Sequence, residues 1–543
     1  MNSFLDRFPI MKSWKFQAAV ILLAAAAWKI IFIFSDVFPF DSDEAVVALM
    51  ARHILQGERP VFFYGQAYMG SLDAYLIAAG FWIFGQHIWV IRVVQMLLYL
   101  GTLFTTIWIG KEAFGSIQDG LLAAALLAVP TVNVTLYTTV TLGGYGEALL
   151  IGSLVLLIAL KVVRHHVPAK KAPVPWALFL LWGALTGCGL WSNALSVVFS
   201  LPAGLYLLWG IFECRRNWLP ATVLFCGAGL LAGASPWWIY GLTHGLDSVL
   251  LFGQVMEENT TWLARTGMHL VNFLLFGPTV IFGLRPPWSI KWLILPLLPF
   301  VGIFWVYVTI FFYKRLTSRC EARREYLLLG GVVGTLLAGF IFATFGADPT
   351  GRYFLPLAIP LALVAPQMIK NLNQKPWYRS WMPAAMMILV IGYQFLSTLQ
   401  CAVQNPPGIT AQFYEAVQVD HRADEDLIAF LKETGETSGY TSYWVAYTIA
   451  FKSQEELIFA PLLPYHLDLR YTPKDNRYPA YSEMASQSQR VAYITSKNPM
   501  LDEHILEYFQ SCGVTWKEKQ IGDYRVYYDL SRPIHPYEMG LGK

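Results

Sequence analysis

Apolar runs of about twenty residues recur along most of this chain, and an α-helix needs a run of that length to cross a lipid bilayer. Hydrophobic residues make up 56% of the sequence and charged residues only 14%, whereas charged residues make up about a quarter of a typical soluble domain. The pattern therefore predicts a polytopic α-helical membrane protein with about eleven transmembrane helices. The predicted spans are 14–34, 88–110, 119–136, 146–164, 176–192, 194–212, 218–240, 291–313, 326–346, 352–369 and 380–400.

The basic residues are concentrated on one side of this topology, as the positive-inside rule requires. Arg7, Lys12 and Lys15 precede or begin the first span and place the N-terminus in the cytoplasm. Five later clusters then fall on the same side, near 111, 161–171, 215–216, 314–324 and 370–379. The residues that follow the last span are therefore predicted to be extracytoplasmic.

The segment 268–284 is apolar enough to be a further span. Counting it as one would place the basic cluster at 314–324 outside the cytoplasm, against the positive-inside rule. We therefore expect 241–290 to form a long external loop that contains a re-entrant or surface-lying helix.

The composition changes near Asn405, where charged residues return after the last span. Helix-like segments at 424–432 and 500–510 alternate with strand-like segments at 457–460, 490–495 and 524–528, which is typical of a small α/β domain. The sequence thus predicts a transmembrane domain over 1–404 and an extracytoplasmic α/β domain over 405–543.

The sequence supports neither a nucleic-acid partner nor a site built from cysteines. The net charge of +3 is too small to indicate a nucleic-acid partner, and no nucleic-acid-binding motif is present. The six cysteines show neither a CxxC pair nor a metal-ligand spacing, so we assign no disulfide framework and no zinc site.

Three carboxylates, Asp41, Asp43 and Glu44, directly follow the first span in the first external loop, 35–88. The spacing of Asp41 and Glu44 is that of a capping box, which would give these acids a purely structural role at a helix start. The alternative is that they perform chemistry at the membrane surface. The helices predicted at 43–56 and 71–84 are too short to span the bilayer and would lie on its surface.

The loop between these surface helices is rich in side chains that suit sugar binding. Tyr64, Gln66, Tyr68 and Asp73 offer aromatic faces together with hydrogen-bond donors and acceptors. The alternative for the tyrosines is the interfacial aromatic belt of any membrane protein. Glu147 adds a carboxylate at another external helix start, where it could bind substrate or simply complement the helix dipole.

Cations at the external side are candidates for binding a lipid phosphate. Arg352 lies at an external helix start beside Tyr353, and an arginine near helix-terminal amides binds phosphate well. Lys29 near the outer end of the first span and Arg265 in the long loop are further candidates. Snorkelling is the alternative for Lys29, and a lone loop arginine beside an interfacial tyrosine is the alternative for Arg352.

Three stretches together, Asp43-Glu44, Tyr64–Tyr75 and Arg352–Pro356, resemble the GT-C glycosyltransferases. Within them, the chain is most similar to the dolichyl-phosphate-mannose–protein mannosyltransferase and aminoarabinose transferase group, especially its uncharacterised bacterial members. The resemblance covers most of residues 1–400. It differs where Tyr68-Met-Gly-Ser71 replaces the His-Pro-Pro or Lys-Pro-Pro segment of those families, and where no arginine follows the Asp-Glu pair.

The resemblance implies an enzyme of the bacterial inner membrane that transfers a sugar with inversion from a polyprenyl-phosphate donor to an acceptor hydroxyl on the extracytoplasmic face. The family's catalytic acid corresponds to Asp43, with Glu44 beside it. The implied partners are the lipid-linked sugar, membrane lipid and an acceptor that is a protein, a lipid or a glycan. No cofactor is firmly implied, although some GT-C branches use a divalent cation, which in this chain would bind between Asp43 and a second acid.

Two other functions are compatible with the sequence. The first is a transporter or flippase for lipid-linked sugars that uses the carboxylates for ion coupling, although such charges usually lie at mid-membrane on broken helices. The second is a non-catalytic subunit of a larger membrane complex in which the tail is the docking module.

Overall fold

The computed structural model describes residues 13–167, 173–245, 261–348, 350–374, 381–404 and 408–542. Within these residues a bundle of apolar helices is followed by a small domain built on a five-stranded sheet. The predicted fold class, a polytopic helical membrane protein with a C-terminal α/β domain, is confirmed. Some of the predictions fall on residues outside the described ranges. These are the N-terminal Arg7 and Lys12, parts of two predicted cytoplasmic clusters (168–172 and 375–380), part of the long loop (246–260) and the domain boundary at Asn405.

The helices of the membrane part follow most of the predicted apolar runs. Their bounds are α1 Trp14–Ile33, α2 Ser42–Gln56, α3 Leu72–Phe84, α4 Ile88–Phe114, α5 Ile117–Ala128, α6 Val132–Tyr137, α7 Tyr145–Lys161, α8 Trp176–Ser192, α9 Val197–Cys214, α10 Leu219–Gly233, α11 Ser235–His244, α12 Trp262–Ile281, α13 Leu298–Thr317, α14 Arg323–Phe342, α15 Ala358–Asn373 and α16 Met382–Gln404. A π-helical turn, Val162–His166, extends α7, and a 3₁₀-helix, Arg352–Leu357, leads into α15.

Eight helices of the described residues are long and apolar enough to cross a bilayer, and nine qualify if α10 and α11, bent by 66°, form one broken span. The shorter apolar helices α5 and α8 occupy two more of the roughly eleven predicted runs. The prediction of one helix over 119–136 was wrong, because Pro130 lies between α5 and α6 and has no N–H to continue a helix. The helix α12 falls outside the set of candidate spans, and the external position of 241–290 stays a prediction.

The first external loop forms two short helices joined by a small hairpin. Asp41 caps α2, since its carboxylate accepts a hydrogen bond from the backbone N–H of Glu44 at 3.2 Å. Gly57 ends the helix with a positive φ of 115°, a conformation that glycine adopts readily because it has no Cβ. The strands β1 (Phe62–Phe63) and β2 (Gln66–Gly70) then pair antiparallel before α3 begins.

The C-terminal domain contains the strands β3 Ser438–Ser442, β4 Ile458–Leu463, β5 Ala492–Ser496, β6 Lys517–Ile521 and β7 Tyr524–Tyr528, and the helices α17 Asp424–Thr434, α18 Tyr443–Lys452, α19 Pro479–Ser486 and α20 Pro499–Ser511. The strand order is β4-β3-β5-β7-β6, with the first three strands parallel and the last two antiparallel to their neighbours. All five predicted segments of this domain are present within a few residues of their expected bounds. The internal strand β3 and the edge strand β6 were missed, because neither has the apolar alternation of a half-buried strand.

The helix α18 packs this domain directly against α2 of the first external loop. Apolar residues of both helices belong to one buried cluster. The hydroxyl of Ser42 donates a hydrogen bond to the backbone carbonyl of Tyr443 at 2.5 Å, and Arg52 donates one to the carbonyl of Phe451 at 3.0 Å. These contacts hold α18 along α2 and place Tyr443 beside the N-terminal end of α2, where the acidic residues lie.

Candidate active site

A cavity of about 570 Å³ lies between the helix bundle and the C-terminal domain. Its polar wall combines residues that are far apart in the sequence: Asp43, Gln66, Tyr68, Asn193, Arg352, Gln412, Tyr443, Asp475 and Arg477. Its apolar wall is formed mainly by residues of α9 and α14 and of the segments that precede α7 and α9: Leu142, Leu195, Val197, Val198, Leu336 and Phe340. One chamber thus joins a charged region to an apolar region between two candidate spans.

Asp43 is the one acid of the first-loop trio that lines this cavity. Its position in the first turn of α2 directs it away from the buried face that holds Asp41 and Glu44, and it is itself half-buried. The phenolic hydroxyl of Tyr443, on the C-terminal domain, donates a hydrogen bond to Asp43 Oδ1 at 2.5 Å. The second carboxylate oxygen is therefore the one that can face a substrate.

The structure does not bring Glu44 to the cavity. Its carboxylate is fully buried and forms a two-pronged ion pair with Arg92, at 3.2 Å to Nε and 2.9 Å to Nη2. Burial raises the pKa of Glu44, and the positive charge of Arg92 opposes that rise. The predicted capping box is consequently only half formed, since Glu44 pairs with Arg92 instead of reaching back to the helix start.

Asp41 is likewise buried and acts as the cap of α2. Burial, together with the neighbouring charges of Asp43 and Glu44, raises the pKa of Asp41 to about 7. Asp41 therefore lies close to the cavity but does not line it.

The hairpin β1–β2 supplies Gln66 and Tyr68, two of the predicted sugar-binding residues, to the cavity. Its turn needs Gly65, which has a φ of +67° and approaches the chain at Arg477 so closely that an added Cβ would lie 2.9 Å from that residue's Cδ. The Gln66 amide lies against the guanidinium group of Arg477, and we orient it with its oxygen towards Arg477 because this oxygen then accepts from both Nη atoms. The hairpin and the C-terminal domain therefore meet at this wall.

The structure places the other three predicted substrate-binding residues outside the cavity lining. Tyr64 donates a hydrogen bond to Glu58 at 2.5 Å and stacks on Tyr478 with ring centroids 4.9 Å apart. Asp73 and Glu147 are both buried and lie against each other in the bundle. Asp73 also accepts a hydrogen bond from Gln95 at 2.8 Å and one from Thr141.

Among the four predicted phosphate-binding residues, Arg352 and Tyr353 line the cavity and Lys29 and Arg265 do not. Gly351, with a φ of +88°, allows the turn that presents Arg352. The Nε of Arg352 lies 2.5 Å from the carboxylate of Asp348, and its guanidinium carbon lies 5.1 Å from the Tyr353 ring centroid.

Lys29 is buried among acceptors of α6 and the turn that follows it. Its ammonium group donates to the backbone carbonyl of Thr138 at 2.7 Å and to the hydroxyl of Thr139 at 2.8 Å. It also lies 4.6 Å from the ring centroid of Tyr99. Through these contacts Lys29 packs α1 against its neighbours in the bundle, away from the cavity.

Two charged residues of the cavity, Asp475 and Arg477, were missed in the sequence, because no motif marks the polar loop that carries them. The hydroxyl of Tyr447 holds this loop in place, since it donates to the carbonyl of Asp475 at 3.1 Å and accepts from the N–H of Arg477 at 2.6 Å. Tyr447 lies one turn after Tyr443 on α18, so one helix positions both the loop and the partner of Asp43.

Asp475 is a buried acid of the cavity wall, with only 8% of its surface exposed. Burial raises the pKa of Asp475 to about 7, with Arg477 opposing the rise and Asp43 adding to it. Between about pH 4 and pH 7 the folded protein therefore keeps a proton that the unfolded chain has lost, so this group makes stability fall as the pH rises through that window.

We accordingly expect Asp475→Asn to stabilise the protein at pH 8, by at most about 4 kcal/mol, and to change stability little at pH 4, where the acid is largely protonated in both states. Thermal unfolding of both proteins in detergent at the two pH values measures this. An equal effect at both pH values would contradict the assigned titration.

The predicted divalent cation has limited support from the donor groups. No cluster of three or more His, Cys, Asp or Glu side chains suited to a metal ion occurs in the part of the chain that the structure describes. Asp43 and Asp475 both line the cavity, and two carboxylates would hold a Mg²⁺ ion only together with water or a substrate phosphate.

One family model and several solved structures are similar to this chain. Residues 71–240 match the dolichyl-phosphate-mannose-protein mannosyltransferase family. The whole fold is similar to that of ArnT from Cupriavidus metallidurans bound to undecaprenyl phosphate, with a TM-score of 0.56 and 14% identity over 94% of this chain and 98% of that one. This is the GT-C fold.

Further comparisons agree with that assignment. The apo state of ArnT gives a TM-score of 0.55 at 13% identity, over 94% of this chain and 97% of that one. The archaeal oligosaccharyltransferase AglB from Archaeoglobus fulgidus, solved with an inhibitory peptide and a dolichol-phosphate, gives 0.50 at 12% identity, over 91% of this chain and 70% of that one. No curated protein sequence matches the chain. The predicted resemblance to GT-C glycosyltransferases is thus confirmed, and the protein is an integral membrane protein.

Proposed function

We propose that this protein is an inverting glycosyltransferase that moves a sugar from a polyprenyl-phosphate donor to an acceptor hydroxyl. The observation that carries the proposal is that Asp43 and Arg352 line the same cavity, so a general base and a phosphate-binding cation face one chamber. The family match over 71–240 and the GT-C fold support the same class of reaction.

In this reaction Asp43 accepts the proton of the acceptor hydroxyl as that oxygen attacks the anomeric carbon. The bond from the anomeric carbon to the phosphate oxygen breaks on the opposite face of the sugar, so the configuration inverts and the lipid phosphate leaves. Arg352 stabilises the negative charge that grows on this phosphate. Tyr443 holds Asp43 in place through its 2.5 Å hydrogen bond.

The apolar wall of the cavity suits the prenyl chain of the donor. It is formed by side chains at the start of α9 and towards the end of α14, both of which are candidate spans. A prenyl tail that lies between these helices would leave the phosphate and the sugar at the polar wall. The similar structures support a donor of this class, since that of ArnT is bound to undecaprenyl phosphate and that of AglB is in complex with a dolichol-phosphate.

A second cavity of about 400 Å³ offers a route for the acceptor. It shares Asp43, Arg352, Gln412, Trp444 and Tyr465 with the first cavity and adds residues of the C-terminal domain: Phe413, Tyr414, Val417 and His466. Two substrates could thus approach Asp43 from different sides, as a transferase requires. We place this face outside the cytoplasm of a bacterial inner membrane, with the N-terminus inside, on the basis of the positive-inside pattern.

The test incubates the purified protein with undecaprenyl-phosphate-linked hexoses, pentoses and N-acetylhexosamines as donors. Total membrane glycolipid and protein serve as acceptors. We expect undecaprenyl phosphate to be released from at least one of the donors. Mass spectrometry of the lipid and NMR of the product measure release and anomeric configuration. Retention of configuration would contradict the direct displacement. Movement of intact sugar lipid across proteoliposome membranes, with no cleavage of any donor, would instead support a flippase.

A further inference from the structure

A second arginine reaches the cavity from the C-terminal domain. Arg477 lies in the loop between the short 3₁₀-helix Pro473–Asp475 and α19, and it lines the same cavity as Arg352. The backbone of this loop is held by Tyr447, and the Arg477 side chain is held by Gln66 of the hairpin. Arg477 is therefore a fixed element of the wall and not a surface residue.

The two arginines differ in their charge partners. Arg352 lies 2.5 Å from the carboxylate of Asp348. Arg477, by contrast, makes no ion pair with any carboxylate of the described residues. Its close contacts are the Gln66 amide oxygen and the ring of Tyr443, whose centroid lies 5.5 Å from the guanidinium carbon, while the charges of Asp43 and Asp475 act on it from beyond ion-pair distance.

One buried donor atom of Arg477 is left without a hydrogen bond. Its Nε finds no acceptor in the described part of the chain. A guanidinium group that lines a cavity without a bound carboxylate is costly to bury, and an anion in that cavity would offset the cost. The missing partner of a guanidinium group is best supplied by a planar or tetrahedral oxyanion.

Tyr68, Arg352 and Arg477 line one cavity, so the Tyr68 phenol is exposed to the charges of both arginines. Burial raises the pKa of the Tyr68 phenol, while the positive charges of Arg477 and Arg352, in that order, lower it. A group placed next to Tyr68 in this cavity is therefore within the electrostatic reach of both guanidinium groups. Asp43 lines the same space, and its charge acts on Tyr68 in the opposite sense.

We propose that Arg477 binds the phosphate of the donor lipid together with Arg352, so that the C-terminal domain supplies one of the two cations of the phosphate site. This inference rests on the proposed function and names a ligand group for a residue of that same site. Two arginines can share the phosphate oxygens that do not bond to the sugar or the prenyl chain. As the bond to the sugar breaks, both oppose the growing charge of the leaving group.

The same arrangement makes donor binding depend on the position of the C-terminal domain. The loop of Arg477 is attached to α18 through Tyr447, and α18 is packed on α2, which carries Asp43. The base and the second phosphate-binding cation are thus attached to the two sides of one packed interface.

The test uses the full-length protein in detergent, with undecaprenyl phosphate as the probe and undecaprenol, which lacks the phosphate, as its matched control. Affinities for both lipids are measured by native mass spectrometry for the wild type, Arg477→Gln, Arg477→Lys and Arg352→Gln. Arg470→Gln, at an exposed position of the preceding loop, is the control variant. Size-exclusion profiles and thermal unfolding establish that each variant is folded.

We expect Arg477→Gln to bind undecaprenyl phosphate about tenfold or more weakly, as the loss of hydrogen bonds between charged groups implies, and to bind undecaprenol as the wild type does. Arg477→Lys keeps the positive charge but loses the planar, two-pronged donor geometry of the guanidinium group, so it should show a smaller loss of affinity for undecaprenyl phosphate. Arg470→Gln should change neither affinity.

Three results would overturn the inference. If Arg477→Gln weakens the binding of both lipids equally, the residue is only structural. If Arg352→Gln weakens the binding of undecaprenyl phosphate while Arg477→Gln and Arg477→Lys do not, the proposed function stands and the role of Arg477 is refuted. If the wild type itself does not prefer undecaprenyl phosphate to undecaprenol, the proposed donor class fails together with this inference.

Discussion

Asp43→Asn is expected to lower the rate of sugar transfer by about 100- to 10,000-fold, the range that a general base contributes. The reason is that the amide cannot take the proton of the acceptor hydroxyl, although it keeps the shape of the side chain. The hydrogen bond from Tyr443 should survive, because the amide oxygen of Asn can accept it in place of Oδ1. Transfer is measured with the lipid-linked donor that the wild type uses.

The folded state should be little affected by this substitution, since Asp43 is half-buried and makes no ion pair with a described residue. Thermal unfolding within a few degrees of the wild type is the internal control. Asp426→Asn, at an exposed position of α17, should leave both activity and stability unchanged. Full activity of Asp43→Asn would remove Asp43 from the role of the base.

Glu44→Ala is expected to destabilise the protein by about 3–5 kcal/mol, because removal of one partner leaves the other charge of a buried ion pair uncompensated. Arg92 would then keep its hydrogen bond to the backbone carbonyl of Phe38, at 3.1 Å, but no carboxylate partner. Glu44→Gln should cost less, since its amide oxygen can still accept from the guanidinium group. Thermal unfolding and the yield of monodisperse protein measure both effects.

Glu433→Ala, at an exposed site of α17, is the matched control and should shift stability by less than about 0.5 kcal/mol. Measuring both stability and transfer for Glu44→Ala also distinguishes the role of Glu44 from that of the neighbouring Asp43. A Glu44→Ala protein that unfolds at the wild-type temperature but has lost transfer would contradict a structural role for Glu44 and restore the catalytic one that the sequence predicts.

The membrane part of the fold could be predicted from the sequence because its signal is local. A run of apolar residues specifies a span without reference to any other segment, and the caps Asp41 and Gly57 specify the ends of α2 in the same way. The prediction was wrong where a single residue interrupted a run, as Pro130 does between α5 and α6. In the C-terminal domain the internal strand β3 was missed because its sequence, Ser-Gly-Tyr-Thr-Ser, lacks an apolar alternation.

The site could be predicted only in part, for a related reason. Asp43, Gln66, Tyr68, Arg352 and Tyr353 lie in the membrane part, where the resemblance to GT-C enzymes and the position at external helix starts point to them. The sequence could not show that Asp43 and Glu44 have different roles. Glu44 differs from Asp43 because it forms an ion pair with Arg92, which lies 48 residues further along the chain.

The C-terminal contribution to the site depends entirely on tertiary contacts. Tyr443 meets Asp43 across 400 positions of sequence, and Arg477 meets Gln66 only after the domain has docked. Because the loop of Asp475 and Arg477 is polar and lacks a recognisable motif, its sequence is that of an ordinary surface loop, and only the folded cavity distinguishes it.

The most direct test is a structure of the protein with an undecaprenyl-phosphate-linked sugar bound. We expect the phosphate to lie in the cavity within hydrogen-bond distance of Arg352, with the anomeric carbon between the phosphate and the carboxylate of Asp43. A phosphate bound outside this cavity, or a sugar whose anomeric carbon lies on the side away from Asp43, would contradict the proposed reaction.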